Sequence, residues 1–159
     1  MTTPDELLVL ALQLARENVE IHKGRPFGAV LASGGKVIAT GVNAELATLD
    51  PTAHAEIEAI RAAVREEHRS SFEGHVMYAS GHPCAMCLAA MYLAGIREVY
   101  YAYSNDDGEP YGITTHELYA ELSKEPTEWA VKMQYRPVRL PGKDVYELWE
   151  EVRAQQAAP

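Results

Sequence analysis

Three potential metal ligands, placed at the starts of two helical segments, constrain the fold most strongly. His54 stands near the start of one apolar-periodic segment, and Cys84 and Cys87 form a C-x-x-C directly after Pro83. The two cysteines lie i, i+3 at a helix N-terminus, where both sulfurs share one face and the helix dipole favours the thiolate form. An imidazole and two thiolates suit zinc. One ion can collect all three only if the strands that lead into the two helices are neighbours.

The remaining pattern predicts an α/β fold of three layers, α-β-α, around a five-stranded mixed sheet. Helices are expected at 3–20, 50–67, 83–95, 115–123 and 144–153, and strands at 27–32, 36–40, 74–80, 96–103 and 135–140. The first helix begins with a capping box, and Asp50-Pro51 is the expected start of the second. The segments 42–50 and 104–112 are expected to be loops. Pro137 places the fifth strand at an edge or bulge, and the helix before it makes it parallel to the fourth strand.

Composition limits the class of protein. The 159 residues fit one domain, 1–159, and 47% of them are apolar, as in an ordinary globular protein. The chain has no run of eighteen apolar residues and no apolar signal segment, which favours a cytoplasmic protein without a membrane partner. Its net charge of −9 would repel a polyanion on average, which disfavours nucleic acid and favours a small uncharged substrate.

Three protein ligands leave a tetrahedral zinc one position short, which is the arrangement of catalytic sites. Glu56, two residues after His54, is a candidate for moving protons between water and a leaving amine. On an ideal helix, however, residues i and i+2 point about 200° apart, so Glu56 can equally be a first-turn glutamate that complements the dipole. The cysteines alone would also fit a dithiol redox pair, but such a pair needs no upstream H-x-E.

The motifs H-A-E at 54–56 and P-C-x-x-C at 83–87 resemble those of the cytidine deaminase superfamily of zinc enzymes. Further matches at 26–30, 41–43 and 50–56 resemble the branch that contains bacterial guanine deaminases and tRNA adenosine deaminases. The resemblance spans about residues 5–150. It implies a cytidine deaminase-like fold and hydrolytic deamination of an aminated ring, in which ammonia leaves and a carbonyl remains.

The resemblance also implies roles for individual residues. His54, Cys84 and Cys87 are expected to bind Zn²⁺, with Glu56 as the general acid and base. Asn43 is expected to hydrogen-bond the substrate, Phe27 to form a pocket wall, and the backbone amides of Ala55 and Cys84 to help fix the ring. The family likeness further suggests a homodimer.

Substrate choice is expected to depend on the fourth strand and the segments after it. Thr115 stands where the resemblance to guanine deaminases would place an acidic residue. Asp107 and Tyr111, together with Trp149 from the C-terminal segment, are therefore the expected substrate contacts. Asp106 and Glu109 are alternatives to Asp107, and all three acids also fit a solvated loop. Tyr146 is an alternative to Trp149, whose spacing equally fits a core stripe with Val145, Leu148 and Val152.

Three functions follow from these patterns. The first is deamination of a free nucleobase or similar small ring, most of all guanine or a guanine-like purine, with cytosine, nucleoside, pterin and triazine substrates as alternatives. The second is tRNA adenosine deamination, for which a basic run offers a surface that equally fits a solvated strand edge: Lys132, Arg136, Arg139 and Lys143. The third is a non-catalytic zinc-stabilised module, which would have no use for Glu56.

Overall fold

The computed structural model of the chain describes residues 2–156, which divide into two compact units after Lys124. Met1 and residues 157–159, which the single-domain prediction also includes, lie outside the described residues. The first unit carries the sheet and all the metal-ligand candidates. The second unit contains one helix, named α7 below. None of the described helices is long and apolar enough to cross a bilayer.

The first unit alternates helices and strands around a four-stranded sheet. Its elements are α1 (Pro4–Glu20), β1 (Gly28–Ser33), β2 (Lys36–Val42), α2 (Glu45–Thr48), α3 (Ala55–Glu67), β3 (Val76–Gly81), α4 (Ala85–Leu93), β4 (Glu98–Tyr103), α5 (Asn105–Gly108), a 3₁₀ turn (Glu109–Tyr111) and α6 (His116–Leu122). The second unit holds α7 (Val145–Gln156). The strand order is β2-β1-β3-β4, with β1 antiparallel to both its neighbours and β3 parallel to β4.

Alternating side chains along β1 separate two cores. Val30 and Ala32 pack on one face with Leu7 and Ala11 of α1, where all four are buried. Leu31 faces the other side and joins Met77 and the inward faces of α3 and α4. Because strand side chains alternate in direction, one buried strand can serve both layers. The three-layer mixed sheet predicted from the sequence is thus confirmed.

Two glycines let helices approach the sheet backbone closely. A Cβ on Gly28 would lie 2.4 Å from the Ala11 carbonyl oxygen of α1, and one on Gly41 would lie 2.2 Å from the Ala55 carbonyl oxygen of α3. Neither distance is compatible with a real side chain. Gly41 therefore sets the depth at which the first turn of α3 rests on β2.

The predicted fifth strand is wrong. The segment 135–140 is not a strand, and β4 is the last strand of the sheet within residues 2–156. Pro137 has no amide hydrogen to donate to a ladder, and the large side chains of the segment, such as Tyr135, Val138 and Leu140, are exposed. An exposed β-rich run without an apolar face lacks the burial that would stabilise strand pairing.

Two segments expected to be loops contain short helical turns. The stretch 42–50 includes α2, and the stretch 104–112 includes α5 and a 3₁₀ turn. In α5 the Ser104 hydroxyl accepts from the Asp107 amide while the Asp107 carboxylate accepts from the Ser104 amide, a capping box. These turns are too short to show helical periodicity in the sequence.

Candidate metal centre and active site

The start of α3 differs from the expectation in a way that matters for the site. The helix begins at Ala55, and His54 is its N-cap with extended backbone angles, φ −72° and ψ 156°. Asp50, the predicted cap, instead accepts hydrogen bonds from the Thr52 amide at 2.8 Å and hydroxyl at 2.7 Å. This Asx turn competes with helix initiation at Asp50. Because His54 is not helical, the ideal-helix angle between i and i+2 does not apply to His54 and Glu56.

The start of α4 places the two cysteines beside His54. Cys84 is the N-cap of α4, in extended conformation, and its side chain makes no capping hydrogen bond. Cys87 lies one turn further along and is fully buried. The Tyr119 hydroxyl of α6 donates to the Pro83 carbonyl at 2.7 Å, which ties the residue before Cys84 to a third helix. Helix α4 therefore starts directly after β3 with both sulfurs turned toward α3.

The three ligand atoms form a nearly equilateral triangle. His54 Nδ1 lies 3.5 Å from Cys84 Sγ and 3.6 Å from Cys87 Sγ, and the two sulfurs are 3.6 Å apart. Tetrahedral zinc, with Zn–S of about 2.3 Å and Zn–N of about 2.0–2.1 Å, requires ligand separations of roughly 3.5–3.8 Å. The three residues thus fit the ion in both chemistry and spacing. The fold brings together the residues that were predicted to bind zinc.

Electrostatic coupling in the triangle prepares it for a cation. Hydrogen bonding with Cys87 lowers the pKa of Cys84 to about 4. The same interaction with Cys84, with burial second, raises the pKa of Cys87. A hydrogen bond with Cys84 raises the pKa of His54. Because zinc binds cysteine as the thiolate, a divalent cation would displace thiol protons as it binds.

Glu56 reaches the same site from the first turn of α3. Its carboxylate is buried, and Oε2 accepts a hydrogen bond from the Cys87 thiol at 3.5 Å. Burial raises the pKa of Glu56, because a buried carboxylate is deprived of water. A carboxyl group with an elevated pKa next to a metal position is suited to taking up and releasing protons.

A second group of side chains lies behind His54. The Asn43 amide donates to Glu45 Oε2 at 2.7 Å, and Arg25 Nε lies 3.2 Å from the same oxygen. The Nε2 of His54 lies 3.8 Å from it. Asn43 is buried, and its backbone carbonyl accepts a hydrogen bond from the Asn18 side chain of α1 at 2.9 Å. The loop after β2 is therefore anchored on one side and faces the metal ligand on the other.

The expected substrate contacts fall into two groups. Phe27 and Asn43 are joined by a backbone hydrogen bond, and Ala55 is the first residue of α3, where helical amides lack an intrahelical partner. These three lie on segments next to His54. Asp107 is bound to Ser104 and Tyr111 is 78% exposed, both after β4. Trp149 belongs to the second unit.

Thr115 is part of a polar network beside the cysteine helix. Its hydroxyl accepts from the Asn105 amide at 3.0 Å and lies 3.2 Å from His82 Nδ1. His82 precedes Pro83 and contacts the rings of Tyr101 and Tyr119 edge-on. The position where the resemblance placed an acid is thus occupied by a hydroxyl that connects the ends of β3 and β4.

Sequence reasoning missed Glu45, Asn18 and Tyr119. Glu45 follows the expected Asn43 by two residues, a spacing that a deliberate search for acids near that asparagine would have found. Asn18 is a buried polar residue inside an apolar helical stripe, which is itself a signal. Tyr119 gave no signal, because its bond to Pro83 depends on where α6 packs.

Comparisons with known proteins agree with this geometry. The family model of the cytidine and deoxycytidylate deaminase zinc-binding region matches residues 1–103. Guanine deaminase of Bacillus subtilis is 38% identical over 124 residues, 78% of this chain and 80% of the relative. A tRNA-specific adenosine deaminase of Agrobacterium fabrum is 38% identical over 103 residues, 65% of each chain.

A solved structure has the same architecture. The crystal structure of guanine deaminase from Bacillus subtilis superposes with a TM-score of 0.81 at 31% identity, covering 99% of this chain and 96% of that one. The predicted fold is confirmed apart from its fifth strand, and so is the prediction of a zinc-dependent deaminase. This chain belongs to the cytidine and deoxycytidylate deaminase zinc-binding family.

Proposed function

We propose that the chain hydrolytically deaminates a free purine base, guanine or a close analogue. The observation that carries the proposal is the buried Glu56 carboxylate beside the ligand triangle of His54, Cys84 and Cys87. The choice of guanine is supported by the similarity to guanine deaminase along almost the whole chain. A net charge of −9 also favours a small substrate over a polyanion.

The reaction needs two proton transfers, and one carboxylate can perform both. Zinc, when held by the three ligands, supplies the acidity that makes water nucleophilic near neutral pH. Glu56 takes a proton from the attacking water and delivers it to the ring nitrogen next to the amino-bearing carbon. The water oxygen bonds to the amino-bearing carbon. Glu56 then carries the remaining proton of that hydroxyl to the amino group, the C–N bond breaks, ammonia leaves and a carbonyl remains. The elevated pKa of Glu56 suits a group that must both accept and donate.

We further propose residues that hold the ring beside the ligand triangle. We assign Asn43 to hydrogen bonding with the substrate, Phe27 to the pocket wall, and the Ala55 amide to a backbone donor at the start of α3. We also keep as proposed substrate contacts three residues that follow β4 in the chain: Asp107, Tyr111 and Trp149. The carboxylate of Asp107 would have to leave Ser104 before it could bind a substrate.

The test is ammonia release by zinc-loaded protein against guanine, adenine, cytosine, their nucleosides, pterins and triazines, with Glu56→Ala in parallel. We expect turnover of guanine or a similar purine that Glu56→Ala abolishes while zinc content and circular dichroism stay unchanged. Retained activity in Glu56→Ala would overturn the proton-transfer role. Glu56-dependent turnover of another ring class would overturn the purine assignment alone.

Deamination of adenosine in tRNA is the second candidate, favoured by the Agrobacterium relative. The basic run 132–143, which could bind tRNA, is partly neutralised. Within the second unit Lys143 pairs with Glu151, and Arg139 lies 3.6 Å from Asp144. A tRNA substrate would bind with an affinity that falls steeply with salt. Inosine formation in tRNA, without ammonia release from free bases, would replace the purine proposal by this one.

We further propose that the chain is one functional domain that acts as a homodimer in the cytoplasm. The dimer is supported by exposed apolar side chains on α4, among them Leu88, Tyr92 and Leu93. The compartment is supported by two free cysteines that must stay reduced to bind a metal. Light scattering after size exclusion would give twice the chain mass for the dimer and the chain mass itself if the proposal is wrong.

A further inference from the structure

Three groups converge on a single carboxylate oxygen of Glu45. Oε2 accepts from the Asn43 side-chain amide at 2.7 Å, lies 3.2 Å from Arg25 Nε, and lies 3.8 Å from His54 Nε2. The backbone amide of Glu45 in turn donates to Asn43 Oδ1 at 3.2 Å. The Glu45 side chain is only 17% exposed, against 55% for Arg25. This arrangement joins a metal ligand to an expected substrate contact through one residue.

The contact fixes which way the Asn43 amide faces. A side-chain amide has two N–H donors and two oxygen lone pairs. Glu45 uses one donor through its carboxylate and one lone pair through its backbone amide. One donor and one acceptor of the Asn43 side chain remain, in a defined orientation. They can bind a ring that carries an acceptor and a donor next to each other. Without Glu45 the amide would be free to rotate by 180° and exchange them.

The same oxygen also acts on the metal ligand. His54 turns Nδ1 toward the two sulfurs, which leaves the ring hydrogen on Nε2. Oε2 lies 3.8 Å from Nε2, so the interaction is an electrostatic contact rather than a hydrogen bond, and its negative charge favours the tautomer with hydrogen on Nε2. Carboxylates that accept the free N–H of a metal-binding histidine typically affect metal affinity or activity about 10–100-fold. Arg25 holds the carboxylate in place from the solvent side.

We propose that Glu45 is a positioning residue that orients the Asn43 amide for the substrate and the His54 imidazole for the metal. The part that concerns Asn43 rests on the proposed function, whereas the part that concerns His54 does not. Glu45 touches neither the reacting atoms nor the metal position, so its effects must pass through these two neighbours.

The test for His54 is the rate at which zinc-loaded protein releases its metal to an excess of a colorimetric chelator. Glu45→Ala should release zinc at least about 10-fold faster than the wild type. Glu58→Ala is the control, since Glu58 lies in the first turn of α3, just after His54 in the chain, but its carboxylate pairs with Arg61 at 2.6 Å. Equal release rates for Glu45→Ala, Glu58→Ala and the wild type would overturn the role toward His54, whatever the substrate proves to be.

The test for Asn43 is a kinetic double-mutant cycle with guanine. Glu45→Ala and Asn43→Ala should each raise KM more than they lower kcat, and the double variant should be no worse than Asn43→Ala alone. Glu45→Gln keeps an oxygen that can accept from Asn43 but removes the negative charge near His54, so it should restore KM while zinc release stays fast. Additive effects of the two alanine substitutions, or a Glu45→Gln variant with the KM of Glu45→Ala, would overturn the role toward Asn43. A lack of guanine turnover in the wild type would instead overturn the proposed function and leave the zinc-release test standing.

Discussion

The starts of α3 and α4, which carry the metal-ligand candidates and Glu56, differ sharply in burial from β4 and the turns after it. At the helix starts, Glu56 is 7% exposed and Cys87 is fully buried, within the larger of the two cores. Along β4 and the turns after it, Tyr103 is 58% exposed and Tyr111 is 78% exposed. Both regions belong to the same unit.

This difference in burial matches two different requirements, one of catalysis and one of substrate selection. Proton transfer and metal binding need a dry, fixed geometry, which only a packed core can hold within fractions of an ångström. The substrate contacts that we propose after β4 lie on exposed turns, where side chains can be exchanged without unfolding the protein. Substitutions of the metal ligands should therefore change metal content, rate and stability together, whereas those after β4 should mainly change selectivity.

The largest effect is expected from Cys87→Ala. With one of three ligands gone, zinc should be lost on dialysis and ammonia release should disappear. The free energy of unfolding should fall by about 3–4 kcal/mol relative to zinc-saturated wild type, which is the linkage expected at 100–1,000 times Kd. Metal analysis and urea unfolding measure this. Wild-type protein stripped with a chelator should show a similar loss of stability, and a variant that still binds zinc would contradict the assigned ligand set.

Glu56→Gln should separate rate from stability within the buried region. The amide has nearly the same shape but cannot accept a proton from water, so ammonia release should fall at least about 10²–10⁴-fold, the range typical of general acid–base groups. Zinc content should be unchanged, because Glu56 is not one of the three ligands. Loss of zinc together with rate would show that Glu56 supports the metal rather than the proton transfers.

Gly41→Ala should disturb the buried region through its backbone. The new Cβ would meet the Ala55 carbonyl oxygen and the Ala59 amide nitrogen at 2.2 and 2.4 Å, so α3 must move away from β2. We expect a loss of about 1–3 kcal/mol in urea unfolding, typical of overpacking. Zinc release should also be faster, since His54 moves with the helix. Gly34→Ala, where φ is +56° and a Cβ would meet nothing within 4 Å, is the control that shows the cost of backbone strain without a clash.

The smallest effect on stability is expected from Thr115→Val after β4. The substitution keeps the shape but removes a hydroxyl that binds Asn105 and faces His82. Unfolding should become easier by only about 1 kcal/mol, the usual net contribution of such a hydrogen bond. The ratio of kcat/KM values for guanine and its analogues should change while zinc content does not. An unchanged ratio would remove Thr115 from the residues that select the ring.

The sequence predicted the ligand set, the order of the first four strands and the longer helices because these depend on local patterns. His54, Cys84 and Cys87 are identified by residue type and spacing, and β1 by an apolar run long enough to be read. The start of α3 was misplaced because Asp50-Pro51 is an equally good helix start, and only the turn with Thr52 decides against it. The angle inferred for Glu56 failed for the same reason, since His54 is not helical.

Other errors reflect contacts that periodicity cannot reveal. Residues 135–140 have the composition of a strand, yet no apolar face of theirs is buried and Pro137 cannot complete a ladder. The role of Glu45 depends on how the loop after β2 folds back on Arg25 and His54. Such loop geometry is set by side-chain hydrogen bonds between residues far apart in the sequence.

Both helix starts that hold ligands lack a side-chain cap. His54 and Cys84 are the N-caps of α3 and α4, and neither side chain accepts a hydrogen bond from its own first turn. Each helix thus forgoes a contact usually worth about 1 kcal/mol, and an ion held by both caps would restrain them in its place. Loss of metal should then appear first as faster amide hydrogen exchange in the opening turns of α3 and α4, with the sheet still protected. Zinc-free protein would then stay folded while the first turns of α3 and α4 fray, and these turns would become ordered again when zinc binds.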